Sequence, residues 1–169
     1  MESFSHTKKQ IAVSDKNGHT ISVLKNIIAL SGRENYVVAA AGEPIPQDAQ
    51  LVVLLLCDPK DVECAKNAPV CVTDYELAAL PALVGLNLIT YSTTSDSADF
   101  TARNIRQTPD GFTAFEMIGV GVIGRVKLCG GGGESINCAL ASTAAAIACG
   151  IPFAEVLDAL NRIEMDDIG

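Results

Sequence analysis

The hydrophobic and polar positions of this chain change their period several times, and each change predicts an element. Residues 10–13 are a short β-branched run and residues 14–18 carry turn chemistry. Residues 20–30 then place Ile21, Leu24, Ile27 and Ile28 at helical spacing before Ser31-Gly32 ends the pattern. Strand, tight loop and helix in that order are the first half of a βαβ unit. A second strand is predicted at 36–40 and a Gly/Pro loop at 42–47. The third strand, 51–57, is an unbroken apolar run of the kind that is covered on both faces, which implies a parallel sheet.

After Asp58-Pro59 the pattern predicts a short helical piece and a strand at 70–72. Thr73 and Glu76 form a capping box for a helix running towards Leu80, and a strand follows at 87–91. From Ala98 onward the texture changes. Residues 100–106, 112–118 and 125–128 read as three strands joined by Pro109-Asp110-Gly111 and a glycine-spaced turn, an antiparallel meander. Four glycines, 130–133, lead into an Ala- and Ser-rich helix over 135–149 that Gly150 ends. Pro152 opens a last helix, 153–162, with Val156, Leu157 and Leu160 on its apolar stripe. No repeat, charge block or long linker divides the chain, so residues 1–169 read as one domain, with 1–9 a flexible N-terminal segment. The fold class is three-layer α/β, a mainly parallel sheet with an antiparallel edge and helices on both faces, P-loop or Rossmann-like.

Composition narrows the partners. With 49% hydrophobic and 19% charged residues the chain can bury a core, which rules out disorder. Twelve Lys and Arg against 20 Asp and Glu give a net charge of −8, a poor match for nucleic acid or anionic lipid. Aromatic residues make up only 5% with no Trp, which argues against stacking platforms. The longest apolar stretches, 51–57 and 139–149, fall short of the ~18 residues of a bilayer span. The first ten residues are polar and hold no signal-type apolar run, so a cytoplasmic location is expected. Cys57, Cys64, Cys71, Cys129, Cys138 and Cys149 sit in or beside apolar runs with no CxxC pair, and are read as reduced, buried thiols that bind no metal.

Chemistry is expected in two places. The loop between the first strand and helix, Val13-Ser14-Asp15-Lys16-Asn17-Gly18-His19-Thr20, stands where P-loop proteins cradle phosphate. Aligned on Gly18, the motif G-x-x-x-x-G-K-[ST] wants glycine at Val13 and lysine at His19. Asp15 would repel phosphate, and a histidine of ordinary pKa ~6.5 supplies no fixed charge at neutral pH. Gly18 keeps its turn role, Thr20 is a hydroxyl ligand for Mg²⁺ or a plain N-cap, and Lys16 offers a displaced cation. The second place is the glycine run before the Ala-rich helix, with Ser135 and Asn137 as side-chain contacts, read either as an anion seat or as a strand-to-helix connector with Glu134 favourable near the helix start. Lys16, Asn17, Gly18, His19, Thr20 and Asn137 are therefore the candidate nucleotide-site residues. Asp96 and Asp99 are read as solvated loop carboxylates. No catalytic Ser/His/Asp or Cys/His set can be assembled, since of the two histidines only His19 has a structured context; His6 lies in the polar N-terminal segment.

The order of these motifs resembles the central ATP-binding domain of the Mur ligases, the ATP-dependent amide-bond enzymes of peptidoglycan synthesis. IAVSDKNGHT, residues 11–20, is similar to their IAVTGTNGKT strand and P-loop, with Asn17, Gly18 and Thr20 matching and His19 in place of the loop lysine. Residues 88–106 resemble the segment carrying a small-Ala-Asp-hydrophobic pattern, with Ala98-Asp99 matching. Residues 137–141 match an N-x-A-L-A helix and Gly150-Ile151-Pro152 a G-I-P break. The resemblance implies ATP and Mg²⁺ as cofactors and ligase chemistry. The departures fall on the family's catalytic parts: Gly131-Gly132-Gly133-Glu134 stands where a base-holding G-R-H-N is expected, and the acidic Mg²⁺ ligand falls within the apolar run 51–56. The expectation is a degenerate, non-catalytic domain without resident cofactor that binds a protein partner, a second copy of itself or a small molecule in the remnant cleft. The alternative is a subunit that binds ATP and completes an active site with another chain.

Overall fold

In the computed structural model, which describes residues 7–129 and 133–164, alternation along the strands decides the layers. The parallel part of the sheet holds β1 (Lys8–Ser14), β2 (Tyr36–Ala40), β3 (Ala49–Leu56), β4 (Val70–Asp74), β5 (Leu88–Ser92) and β6 (Phe100–Gln107). β7 (Phe112–Gly119) and β8 (Val122–Cys129) add an antiparallel edge, and the order is β2-β1-β3-β4-β5-β6-β7-β8. In β3, Val53 and Leu55 join the larger core while Leu54 and Leu56 join the smaller one, which is why the run carries no polar position.

The larger core lies under α1 (His19–Leu30), α2 (Gly133–Ala148) and α3 (Phe153–Leu160). Ala139, Ala141, Ala144, Ala145 and Ala146 are all buried, so the small side chains of α2 let it approach both the sheet and α1. Gly150, at φ 102°, stops α2: the Gly150 N–H bonds Ile147 O and the Ile151 N–H bonds Ala146 O. The opposite face is closed by three 3₁₀ segments, Pro59–Asn67, Leu77–Ala79 and Pro81–Leu83, over Ala12, Leu54, Leu56 and Cys71. The expected second layer of helices is therefore present, but among the described residues it is built of 3₁₀ segments rather than α-helices, two of them with a proline, Pro59 or Pro81, in the first turn.

Three expectations are corrected. Lys8 and Lys9 belong to β1 rather than to a flexible segment. They are held by N–H bonds to Asp48 O and Asn35 O, both at 2.7 Å, because β2 and β3 flank the strand from its start. Residues 1–6 lie outside the described residues. Thr73 caps no helix: it is buried in β4, its hydroxyl donates to Leu56 O at 3.0 Å, and Pro81 limits the segment after it to short turns. Asp99 is not a solvated loop carboxylate, since it accepts from the Thr90 N–H at 2.9 Å and the Thr90 hydroxyl at 3.3 Å and so ties the start of β6 to β5.

Candidate functional site

The strand order reverses direction at β1, whose neighbours are β2 and β3, and ligands of open α/β sheets bind at the carboxyl ends of the strands at such a point. A cavity of about 430 Å³ lies there. Its lining comes from the β1–α1 loop (Asp15, Lys16, Asn17), the first turn of α1 (Thr20), the residue after β3 (Cys57), the ends of β4 and β5 (Asp74, Tyr91) and the start of α2 (Glu134, Asn137, Cys138). The structure thus brings Lys16, Asn17, Thr20 and Asn137 together. Gly18 adopts φ 81°, the left-handed turn that admits the chain into α1, and does not line the cavity.

The first turn of α1 has no cap from Gly18 itself. Two neighbours supply it: Asp15 Oδ2 accepts from the Ile21 N–H at 3.1 Å and Asn17 Oδ1 from the His19 N–H at 3.0 Å. An internal carboxylate thus occupies a helix-N-terminal donor of the kind that anion-binding loops offer to phosphate. Asn17 Nδ2 donates to Glu134 Oε1 at 2.8 Å, and His19 Nδ1 stands 3.9 Å from Glu134 Oε2. His19 is directed at the start of α2 and does not line the cavity. The polar contacts close the loop onto α2 across the cleft. Four carboxylates, Asp15, Asp74, Glu76 and Glu134, face one cation, Lys16, which has no ion-pair partner among the described residues.

The floor is made of thiols and hydroxyls. Thr20, buried, has its hydroxyl 3.3 Å from Cys138 Sγ, and its carbonyl accepts from the Ser142 hydroxyl. Tyr91 OH donates to Cys57 Sγ at 3.4 Å. Burial pushes the Cys57 thiol up to about 11 and also raises Cys138 and the Tyr91 phenol, so all three stay protonated at neutral pH. Behind the loop, Ser14 donates to Asp61 Oδ2 at 2.7 Å and to Asp58 O at 3.2 Å, fixing the end of β1 to the 3₁₀ segment.

Sequence reasoning missed Cys57, Cys138, Tyr91, Asp74 and Glu76 as lining residues. All six cysteines are free, but Cys57, Cys64 and Cys129 are half-buried rather than buried. The signal for Asp74 and Tyr91 was their place at the carboxyl ends of parallel strands. Gly130, Gly131 and Gly132, the proposed anion seat, lie outside the described residues, and Gly133 is already the first residue of α2. Asp96 is a surface carboxylate 3.7 Å from Arg103. Among the described residues no three of His, Cys, Asp or Glu gather as a metal set, and no helix is long and apolar enough to cross a membrane.

No protein-family model and no curated protein matches this sequence. Solved structures do. MurF from Acinetobacter baumannii superposes with a TM-score of 0.67 at 15% identity, over 94% of this chain and 46% of that one. MurC from Thermotoga maritima gives 0.67 at 15%, over 92% and 44%. MurF from Thermotoga maritima, solved in complex with ADP, gives 0.65 at 15%, over 89% and 48%. The chain therefore has a Mur-ligase fold, and it spans less than half the length of each of these ligases.

Proposed function

We propose that the chain is a Mur-ligase-fold binding module whose P-loop is degenerate, so that the cleft takes a neutral or cationic small molecule or a protein partner rather than nucleotide. The observation that carries this reading is the Asp15 carboxylate on the Ile21 N–H. ATP and Mg²⁺, which the fold implies, do not fit these residues. The helix-start donor is already satisfied, carboxylates outnumber cations four to one on the lining, and the Thr20 hydroxyl packs on Cys138 in the floor. In this reading the chain performs no phosphoryl transfer and acts in the cytoplasm.

A second reading, an ATP-binding subunit completed by another chain, draws on Lys16, Thr20 and Asn137 facing one cavity. Calorimetric titration with ATP and ADP, with and without Mg²⁺, separates the two. The binding-module reading expects no heat from the native chain and regained binding in Asp15→Gly/His19→Lys. Binding by the native chain that Thr20→Ala abolishes would overturn it in favour of the second.

A further inference from the structure

The antiparallel edge carries a second cavity, of about 700 Å³, that the remnant cleft does not touch. β6 pairs with β5 only at Phe100 and Thr101, so its later residues project past the parallel sheet and take β7 and β8 with them. One face of this extension is core: Thr113, Phe115, Met117, Val126 and Leu128 are buried. The other face is read from the pairing. Arg103 is opposite Glu116, which is opposite Arg125, and Arg106 is opposite Ala114, which is opposite Lys127.

A bulge makes this arrangement. Between Arg103 and Arg106 the β6 strand advances three residues while β7 advances two. Without the extra residue Arg106 would turn to the core face. Asn104 takes φ 54°, and its Nδ2 donates to Glu116 Oε1 at 2.7 Å. The one acid in the cavity lining is thereby engaged by a neutral amide and forms no ion pair with either flanking arginine. Arg125 has no side-chain partner among the described residues, and Arg106 donates only to Asn104 O at 3.2 Å. Lys127 lies over the Phe112 ring at 4.3 Å and 3.5 Å from Asp110, which Thr108 also bonds. Ala114, buried at 7% exposure, puts only a methyl group on the cavity wall between Arg106 and Lys127, whose backbones are two strand spacings, roughly 10 Å, apart.

We infer that this trough above Ala114 is a binding site for the phosphoryl group of a phosphorylated small molecule, held by Arg106, Arg125 and Lys127. Three cationic side chains lining one cavity from two strands can answer the three free oxygens of a tetrahedral phosphoryl group, whereas a planar carboxylate fills a single arginine fork. In a chain of net charge −8, the rest of the surface discourages the same anion.

The test is an amide NMR titration of the full chain with inorganic pyrophosphate, beside co-sedimentation with phosphatidate vesicles. The site predicts saturable shifts centred on residues 104–116 and 125–127. Arg106→Gln/Arg125→Gln, at two exposed side chains, weakens binding at least tenfold, and Arg125→Lys, which keeps charge but loses the fork, weakens it several-fold. Asp15→Gly/His19→Lys leaves these shifts unchanged, which separates this site from the cleft. Shifts confined to residues 15–21, equal affinity in the double variant, a response reproduced by sodium chloride at equal ionic strength, or retention by vesicles without a response to pyrophosphate would each overturn the proposal.

Discussion

Asp15→Ala removes one carboxylate that does two things in this structure, and the two have opposite signs. In the free chain the carboxylate satisfies the Ile21 N–H at the positive end of α1 at 3.1 Å, so its loss costs about 1 kcal/mol, the usual worth of a helix N-terminal cap. For a chain of 169 residues that lowers Tm by roughly 2–4 °C. Towards a phosphate at the same helix start the carboxylate is repulsive. At about 5 Å and an effective dielectric of about 20, each unit of like charge costs roughly 3 kcal/mol, and solvent in the half-open cleft reduces this to about 1–2 kcal/mol, about tenfold in affinity. Thermal melts of native and Asp15→Ala protein, alone and with millimolar ADP, read both. The variant should melt lower than native without ligand and close part of the gap with ADP, while the native chain does not respond. A ligand-free variant that melts at or above the native temperature would refute the capping argument and the phosphate argument that rests on it.

Burial raises the Cys57 and Cys71 thiols to about 11 and Cys149 to about 12, against 9.0 for a free thiol. Thiols that ionise earlier in the unfolded chain favour unfolding in alkali. Urea-derived stability should therefore be flat below pH 9 and fall between pH 9 and about 12, and a rise over that range would contradict the burial of these groups. In native protein at pH 7.5, mass spectrometry after iodoacetamide treatment should find Cys71, Cys138 and Cys149 unlabelled and labelling confined to the half-buried cysteines. Gly124 lies beneath α3, where an added Cβ would stand 2.8 Å from Leu157 Cδ2 and 2.9 Å from Phe153 Cε2. Gly124→Ala should cost about 1–3 kcal/mol in urea unfolding, and no loss would mean that α3 is seated elsewhere. Asn161 covers the free edge of β8, accepting from Lys127 N–H at 2.8 Å and donating to Arg125 O at 3.4 Å. Asn161→Ala should increase self-association in sedimentation velocity, since it uncovers an edge strand.

Much of the fold was legible because its signals are local. The apolar run of β3 announced a strand buried on both sides, and Ser31-Gly32 and Gly150 marked helix ends where the chain turns left-handed. What failed depended on distant partners. Thr73 looks like a cap beside Glu76, but its hydroxyl is taken by Leu56 in the neighbouring strand. Lys8 and Lys9 look like part of a polar tail, but Asp48 and Asn35 supply ladder partners. At the site, the loop sequence disclosed a histidine and an acid at positions where the P-loop motif has neither, and of its six candidates Lys16, Asn17, Thr20 and Asn137 line one cavity while Gly18 and His19 do not. It did not disclose that Asp15 turns inward onto Ile21, or that Cys57 and Cys138, 81 positions apart in sequence, share a floor with Thr20. Nor did the strand periodicity of β6 disclose the bulge that turns Arg106 outward.

The function proposed for the cleft stands on the Ile21 amide being bound by Asp15 and so closed to a phosphate. Its cross-peak in a proton–nitrogen NMR spectrum, followed through titration with ADP and Mg²⁺, tests this directly. The peak should stay in place in the native chain and move in Asp15→Gly/His19→Lys. A saturating movement in the native chain would contradict it.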